Sequence, residues 1–188
     1  MPSTSEIPKV LPYAYPLDDF YAQQGLLLPP IESITGEEVP PPYHSLLVHD
    51  DDMTPTLEHF HGGQIHVTVI RRQHRGDFYF REVVLSRDCD GAPVEFGAIK
   101  ISLKLFPAMA RQAILSERTP LGRILSDHRI LHTSKPKAFL RVESDDFINE
   151  ALKLEGKHVL YGRRNTIWSQ DEKPLAEIVE ILPPEPRV

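Results

Sequence analysis

The run Phe78-Tyr79-Phe80-Arg81-Glu82-Val83-Val84-Leu85 is apolar or aromatic at six of its eight positions, so it reads as a strand covered on both faces. Alternation places Tyr79, Arg81, Val83 and Leu85 on one face, with Arg81 in the middle of an apolar row. A guanidinium there cannot shed its proton and needs an anion. That anion is either a protein carboxylate or the carboxylate of a ligand, which the planar fork matches bidentately. Thr54-Pro55 and Thr119-Pro120 each put threonine at an N-cap and proline at the first helical position. The first amides of a helix lack partners and lie in positive potential, so those of Thr56 and Leu121 are candidate carboxylate donors. Either pair is equally consistent with a well-capped surface helix. The opposite charge comes from Leu175-Ala176-Glu177-Ile178-Val179-Glu180-Ile181-Leu182. Glu177 and Glu180 fall on opposite faces, so one meets solvent, while the buried one requires a donor, a proton, or an ion pair with Arg81 or Arg163.

Other reactive side chains form weaker patterns. His59-Phe60-His61, followed by His66, has a metal-ligand spacing but lacks a fixed third or fourth ligand, so no metal site is expected. Cys89 is the single cysteine and lies among acidic neighbours, which disfavours a thiolate. Gly-rich phosphate loops, Ser/His/Asp arrangements and dinucleotide fingerprints are absent from the sequence, and no cofactor is expected.

The elements that must position these groups follow from the patterning. A formal net charge of -6 over 188 residues argues against a nucleic-acid partner. With one cysteine, no leader pattern and no bilayer-length apolar run, the expected location is cytoplasmic, without a membrane partner. Residues 1–42 form a proline-rich N-terminal arm, broken at Pro29-Pro30 and Pro40-Pro41-Pro42, with room for one short helix between Asp18 and Leu28. Residues 43–188 form the domain. Helices are predicted at Tyr43–Val48, Pro55–Phe60, Ala108–Arg118, Leu121–His128 and Phe147–Leu154. Strands are predicted at Ile65–Ile70, Phe78–Leu85, Phe96–Ile101, Phe139–Val142, Val159–Trp168 and Leu175–Leu182. Short loops imply antiparallel neighbours, hence an α+β class with one antiparallel sheet and segregated helices, as a monomer or small homo-oligomer.

The order of these motifs resembles the chorismate pyruvate-lyase family. The resemblance is carried by Asp52-Met53-Thr54, Tyr79 to Leu85, Thr119-Pro120-Leu121-Gly122-Arg123-Ile124-Leu125, Tyr161-Gly162-Arg163-Arg164, and Lys173-Pro174-Leu175 leading to Glu180. It covers roughly Tyr43 to Pro184. It implies an antiparallel sheet with helices on one side, helical flaps over an internal cavity, and cofactor-independent elimination of pyruvate from chorismate to give 4-hydroxybenzoate. By the same resemblance Arg81 would hold the ring carboxylate, the amides of Met53 and Leu121 would assist it, and Glu180 would face the ring hydroxyl. Arg163 or Arg164 would meet the second carboxylate. One extra residue between Lys173-Pro174 and the glutamate keeps Glu177 open beside Glu180. The alternative is a non-catalytic domain of the same fold that binds a small aromatic carboxylate, as in effector-binding domains of bacterial transcription regulators. Against a regulator, 188 residues leave little room for a DNA-reading domain and the arm shows no helix-turn-helix pattern.

Overall fold

The β-branched and aromatic segments pair into one seven-stranded sheet with the order β1-β5-β6-β7-β4-β3-β2, every neighbour antiparallel. The strands are β1 (Ile31–Ile34), β2 (Ile65–Arg75), β3 (Phe78–Arg87), β4 (Pro93–Ser102), β5 (His132–Glu143), β6 (Val159–Ser169) and β7 (Pro174–Leu182). This computed structural model describes residues 12–184, so residues 1–11 of the expected arm lie outside the described residues. β2, β3 and β4 form the predicted meander, and Gly76 (φ 58°) supplies the left-handed residue its first tight turn requires. β7 then pairs with β4 and carries the hairpin β6-β7 and the outer strands β5 and β1.

The helices are α1 (Leu17–Gln23), α2 (Tyr43–Leu47), α3 (Met53–His61), α4 (Ala108–Leu115), α5 (Leu121–Asp127) and α6 (Asp146–Leu152). Helices α2 to α5 cover the face that carries Tyr79, Val83, Ile99 and Ile178. Their fully buried anchors Leu47, Leu57, Ile114 and Ile124 are each worth about 1.5–3 kcal/mol of transfer free energy. Helices α1 and α6 cover the other face with Leu17, Phe20, Tyr21, Ile148 and Leu152 against Phe96, Val179 and Ile181. The expected helical side of the sheet therefore carries the flaps, and two short helices add a thinner second layer. No described helix is long and apolar enough to cross a membrane.

Several boundaries differ from the sequence expectations for physical reasons. The proline-rich segment is in part joined to the sheet: β1 pairs Ile31 with Val142, and α1 buries Leu17, Phe20 and Tyr21. β2 runs on to Arg75 because an edge strand tolerates polar side chains along its open side. β5 starts at His132 and accommodates Pro136 at a bulge. β4 starts at Pro93, which brings Glu95 into the strand. α3 begins at Met53, with Asp52 rather than Thr54 at its N-cap, and ends at the left-handed Gly62.

Candidate functional site

Strand parity builds the site. On the α2–α5 face, Arg81 of β3 lies opposite Ile99 of β4, and Gly97 of β4 lies opposite Glu180 of β7, which in turn pairs with Arg163 of β6. Two strands across and two residues along separate Arg81 from Glu180, about 12 Å between Cα atoms. The N-termini of α3 and α5 close over this row: a Cβ on Gly122 would stand 3.1 Å from Thr54 Oγ1, so the two helix starts are in direct contact there. Asp52, Met53, Thr54, Leu121 and Gly122 join Arg81, Glu95, Asn165, Ile178 and Glu180 around one internal cavity of about 30 Å³. That is about two waters' worth, at roughly 10–15 Å³ each. A groove of about 870 Å³ beside Tyr13, Leu26 and Leu27 is far larger, but its lining includes no buried side-chain atom that lacks a hydrogen bond.

Arg81 is 0% exposed, and none of its three guanidinium nitrogens has a hydrogen-bond partner among the described residues. Burial lowers its pKa, while Tyr79 and Glu117 act weakly the other way. Glu117, in the link between α4 and α5, is not available to it: the carboxylate is taken by the Tyr79 hydroxyl and by Arg72. An arginine does not discharge under such conditions, so the site holds a buried cation with no hydrogen-bonded anion among the described residues.

The far wall is different. Arg163 Nε donates to Glu180 Oε2 at 2.5 Å, with both side chains buried. Its Nη1 donates to the carbonyls of Leu47 (3.4 Å) and His49 (3.1 Å), and its Nη2 to that of Asp51 (3.0 Å). Arg163 thus fastens the segment before α3 onto β6. The role suggested for it, a second-carboxylate anchor, does not fit this geometry, because all three of its nitrogens are engaged inside the protein and it does not line the cavity. Arg164 lies on the opposite face, where its Nη2 donates to Glu177 Oε1 at 2.8 Å. Glu177 also accepts from Lys100 at 3.0 Å and is half-buried there, away from the cavity. Of the two β7 glutamates, Glu180 is the one that lines it.

Two further acids at the cavity were not anticipated. Asp52 Oδ2 accepts from His132 Nε2 at 2.8 Å, and that bond raises the His132 pKa above its ordinary value. Glu95 is buried, and desolvation followed by repulsion from Glu180 pushes its pKa well up. The pattern Glu95-Gly97-Ile99-Ile101 would have revealed it had the strand been started at Pro93. Met53 and Leu121 open α3 and α5 at the cavity, whereas Thr56 does not line it.

No protein-family model and no curated protein sequence matches the chain. Solved structures do match in shape. The product of gene SA0254 from Staphylococcus aureus superposes with a TM-score of 0.54 at 8% identity, over 73% of this chain and 90% of that one. The effector domain of PhnF from Mycobacterium smegmatis gives 0.53 at 11% identity, over 70% and 88%. Against the longer PhnF structure the score is 0.52, and the match spans 63% of that chain. These likenesses establish the fold: an α+β domain with one antiparallel sheet, of the chorismate lyase-like type.

Proposed function

We propose that the chain binds a small aromatic carboxylate in the cavity between the sheet and the starts of α3 and α5. The observation that carries this reading is the buried Arg81 guanidinium with no hydrogen-bond partner among the described residues. The starts of α3 and α5 bring the first amides of two helices to the same place, where such amides have no intrahelical partner and lie in positive potential. Apolar walls from Val67, Val83, Ile99 and Ile178 suit a ring, and Glu180 stands across the cavity for a hydroxyl. At about 30 Å³ the cavity is closed down, so a benzoate-sized ligand enters by displacing the α3–α5 flap outward. One structural neighbour being an effector domain supports binding without turnover. Isothermal titration with benzoate against neutral benzamide tests the reading. Benzoate should bind, benzamide should not, and Arg81→Met should abolish the difference; equal binding of the two would refute it.

A second reading is favoured by the placement of Arg81 and Glu180 at opposite sides of one cavity: elimination of pyruvate from chorismate. A ring held by its carboxylate at Arg81 would lose its C4 proton and its enolpyruvyl ether and become aromatic. In that case orientation and exclusion of water are most of what the site supplies. Incubation with chorismate distinguishes the two readings. Appearance of 4-hydroxybenzoate and pyruvate identifies a lyase, and binding of 4-hydroxybenzoate without turnover identifies a binding domain.

A further inference from the structure

The far wall of the cavity holds a group that neither reading uses. Glu95 of β4 lines the cavity beside Glu180, is buried, and its Oε2 has no hydrogen-bond partner among the described residues. Glu180 stands opposite Gly97, two residues along β4 from Glu95 on the same face. Gly97 leaves that place empty, and Glu95 Oε1 occupies it, 3.1 Å from where a Gly97 Cβ would stand. The Glu95 carboxyl is thereby turned along the strand towards the row that holds Glu180.

Charge on this wall does not balance. Arg163 and Glu180 make one cation and one anion in contact, and Glu95 adds a second acid with no salt bridge of its own among the described residues. Arg81 offers no relief: it lies opposite Ile99, four residues from Glu95 along β4, about 13 Å on an extended strand. Asp52, the other acid at the cavity, is already matched with His132. Two carboxyl groups in a water-poor space do not both ionise.

Building on the carboxylate-binding reading, we propose that Glu95 is a neutral carboxylic acid that shares its proton with Glu180. The wall across from Arg81 then carries a single charge spread over two acids, already offset by Arg163. Such a wall accepts a hydrogen bond from a ligand hydroxyl and donates one back. It repels a second carboxylate. What Glu95 adds to the carboxylate-binding reading is a selection rule: a ligand hydroxyl opposite the acid is favoured at this wall, and a second carboxylate is not.

The test titrates wild type, Glu95→Gln and Glu95→Leu with benzoate, 4-hydroxybenzoate and terephthalate. Wild type should prefer 4-hydroxybenzoate to benzoate and bind terephthalate at least about tenfold more weakly, the weight of one unfavourable charge contact near 1.4 kcal/mol. Glu95→Gln, whose amide can still donate to Glu180, should keep the hydroxyl preference with affinity reduced a few-fold, and Glu95→Leu should lose it. In parallel, the infrared difference between wild type and Glu95→Gln at neutral pH should contain a carboxylic-acid C=O band. Absence of that band, terephthalate bound as tightly as 4-hydroxybenzoate, or equal loss of preference in both variants overturns the proposal. If wild type binds benzoate with no hydroxyl preference, this inference alone falls. If it binds none of the three, the carboxylate reading falls with it.

Discussion

Each face of the sheet holds a buried glutamate and an arginine, and the two faces handle them in opposite ways. On the α1–α6 face, Glu82 lies 3.4 Å from Arg71 Nη1, within ion-pair reach but without a hydrogen bond. Arg71 is stacked 4.0 Å over the Phe147 ring, and the Tyr21 hydroxyl donates to Asp145 at 2.8 Å. Asp145 also caps α6 by accepting from the Ile148 amide at 2.9 Å. These polar groups fasten α1 and α6 to the sheet, and Glu82 has a cation within ion-pair reach even though neither of its oxygens is hydrogen-bonded among the described residues. On the cavity face the guanidinium of Arg81 is left open. The contrast rests on acid–base chemistry: a buried carboxyl can take up a proton and become neutral, whereas a buried guanidinium cannot. Glu82 does move that way, burial pushing its pKa up to about 7 against the pull of Arg71. Arg81 has no such exit, which is why the proposed ligand carboxylate is placed at Arg81 and not on the face of Glu82.

The largest test of this contrast is Arg81→Met. Ligand affinity should fall by roughly a hundred- to several-thousand-fold, the equivalent of about 3–5 kcal/mol for removing one side of a buried charge pair. Without ligand, the same substitution should raise stability by about 1 kcal/mol or more, because it deletes a buried charge that has no partner. Chemical denaturation in the absence of ligand measures this. A clear loss of stability would show that Arg81 is satisfied inside the protein and would remove the difference between the faces. Arg163→Met should do the reverse. It strands Glu180 and takes a donor from the carbonyls of Leu47, His49 and Asp51, so a destabilisation of about 3–5 kcal/mol is expected by the same denaturation measurement.

A smaller effect separates the faces through pH. Glu82 has an ordinary pKa of 4.5 when unfolded and about 7 when folded, so between these values the folded state binds more protons than the unfolded one. Stability from this group therefore decreases as pH rises from about 4.5 to about 7 and levels off above that. Thermal melts of wild type and Glu82→Gln across this window should differ in slope, the variant lacking the decline. A parallel slope in both would mean that Glu82 stays ionised throughout, held by Arg71 in a true pair.

Much of the cavity was legible because its cues are local. Arg81 declares its face through the alternation of Tyr79, Val83 and Leu85, and the α5 start is written in Thr119-Pro120-Leu121. Glu95 falls just outside the strand expected at Phe96–Ile101, whereas β4 starts at Pro93, since proline is tolerated at the first residue of a strand. β1 was hidden by composition, since four residues among prolines carry no periodic signal and gain their order only from β5. The saturation of Arg163 was out of reach, because its carbonyl partners lie more than a hundred positions away and carry no side-chain signature.

The smallest expected effect concerns Glu177, and it bears on the register itself. A one-residue slip of β7 would exchange the two glutamates between faces, since side chains on a strand alternate. In the observed register Thr166 is opposite Glu177 and Arg163 opposite Glu180, so Glu177 leans out to Lys100 and Arg164 while Glu180 turns in. β7 is irregular only at its start, between Ile167 and Trp168 of its partner, which absorbs the extra residue after Lys173-Pro174 before the glutamates are reached. Glu177→Gln then turns two partly buried ion pairs, with Lys100 and Arg164, into hydrogen bonds to a neutral amide, a loss of about 1 kcal/mol of stability. Binding of 4-hydroxybenzoate by that variant should stay within a few-fold of wild type, while Glu180→Gln should lose the preference for the hydroxyl over plain benzoate. Titration of both ligands into the two variants measures it. If Glu177→Gln is the one that erases the preference, β7 is shifted by one residue and the cavity's inner acid has been assigned to the wrong face.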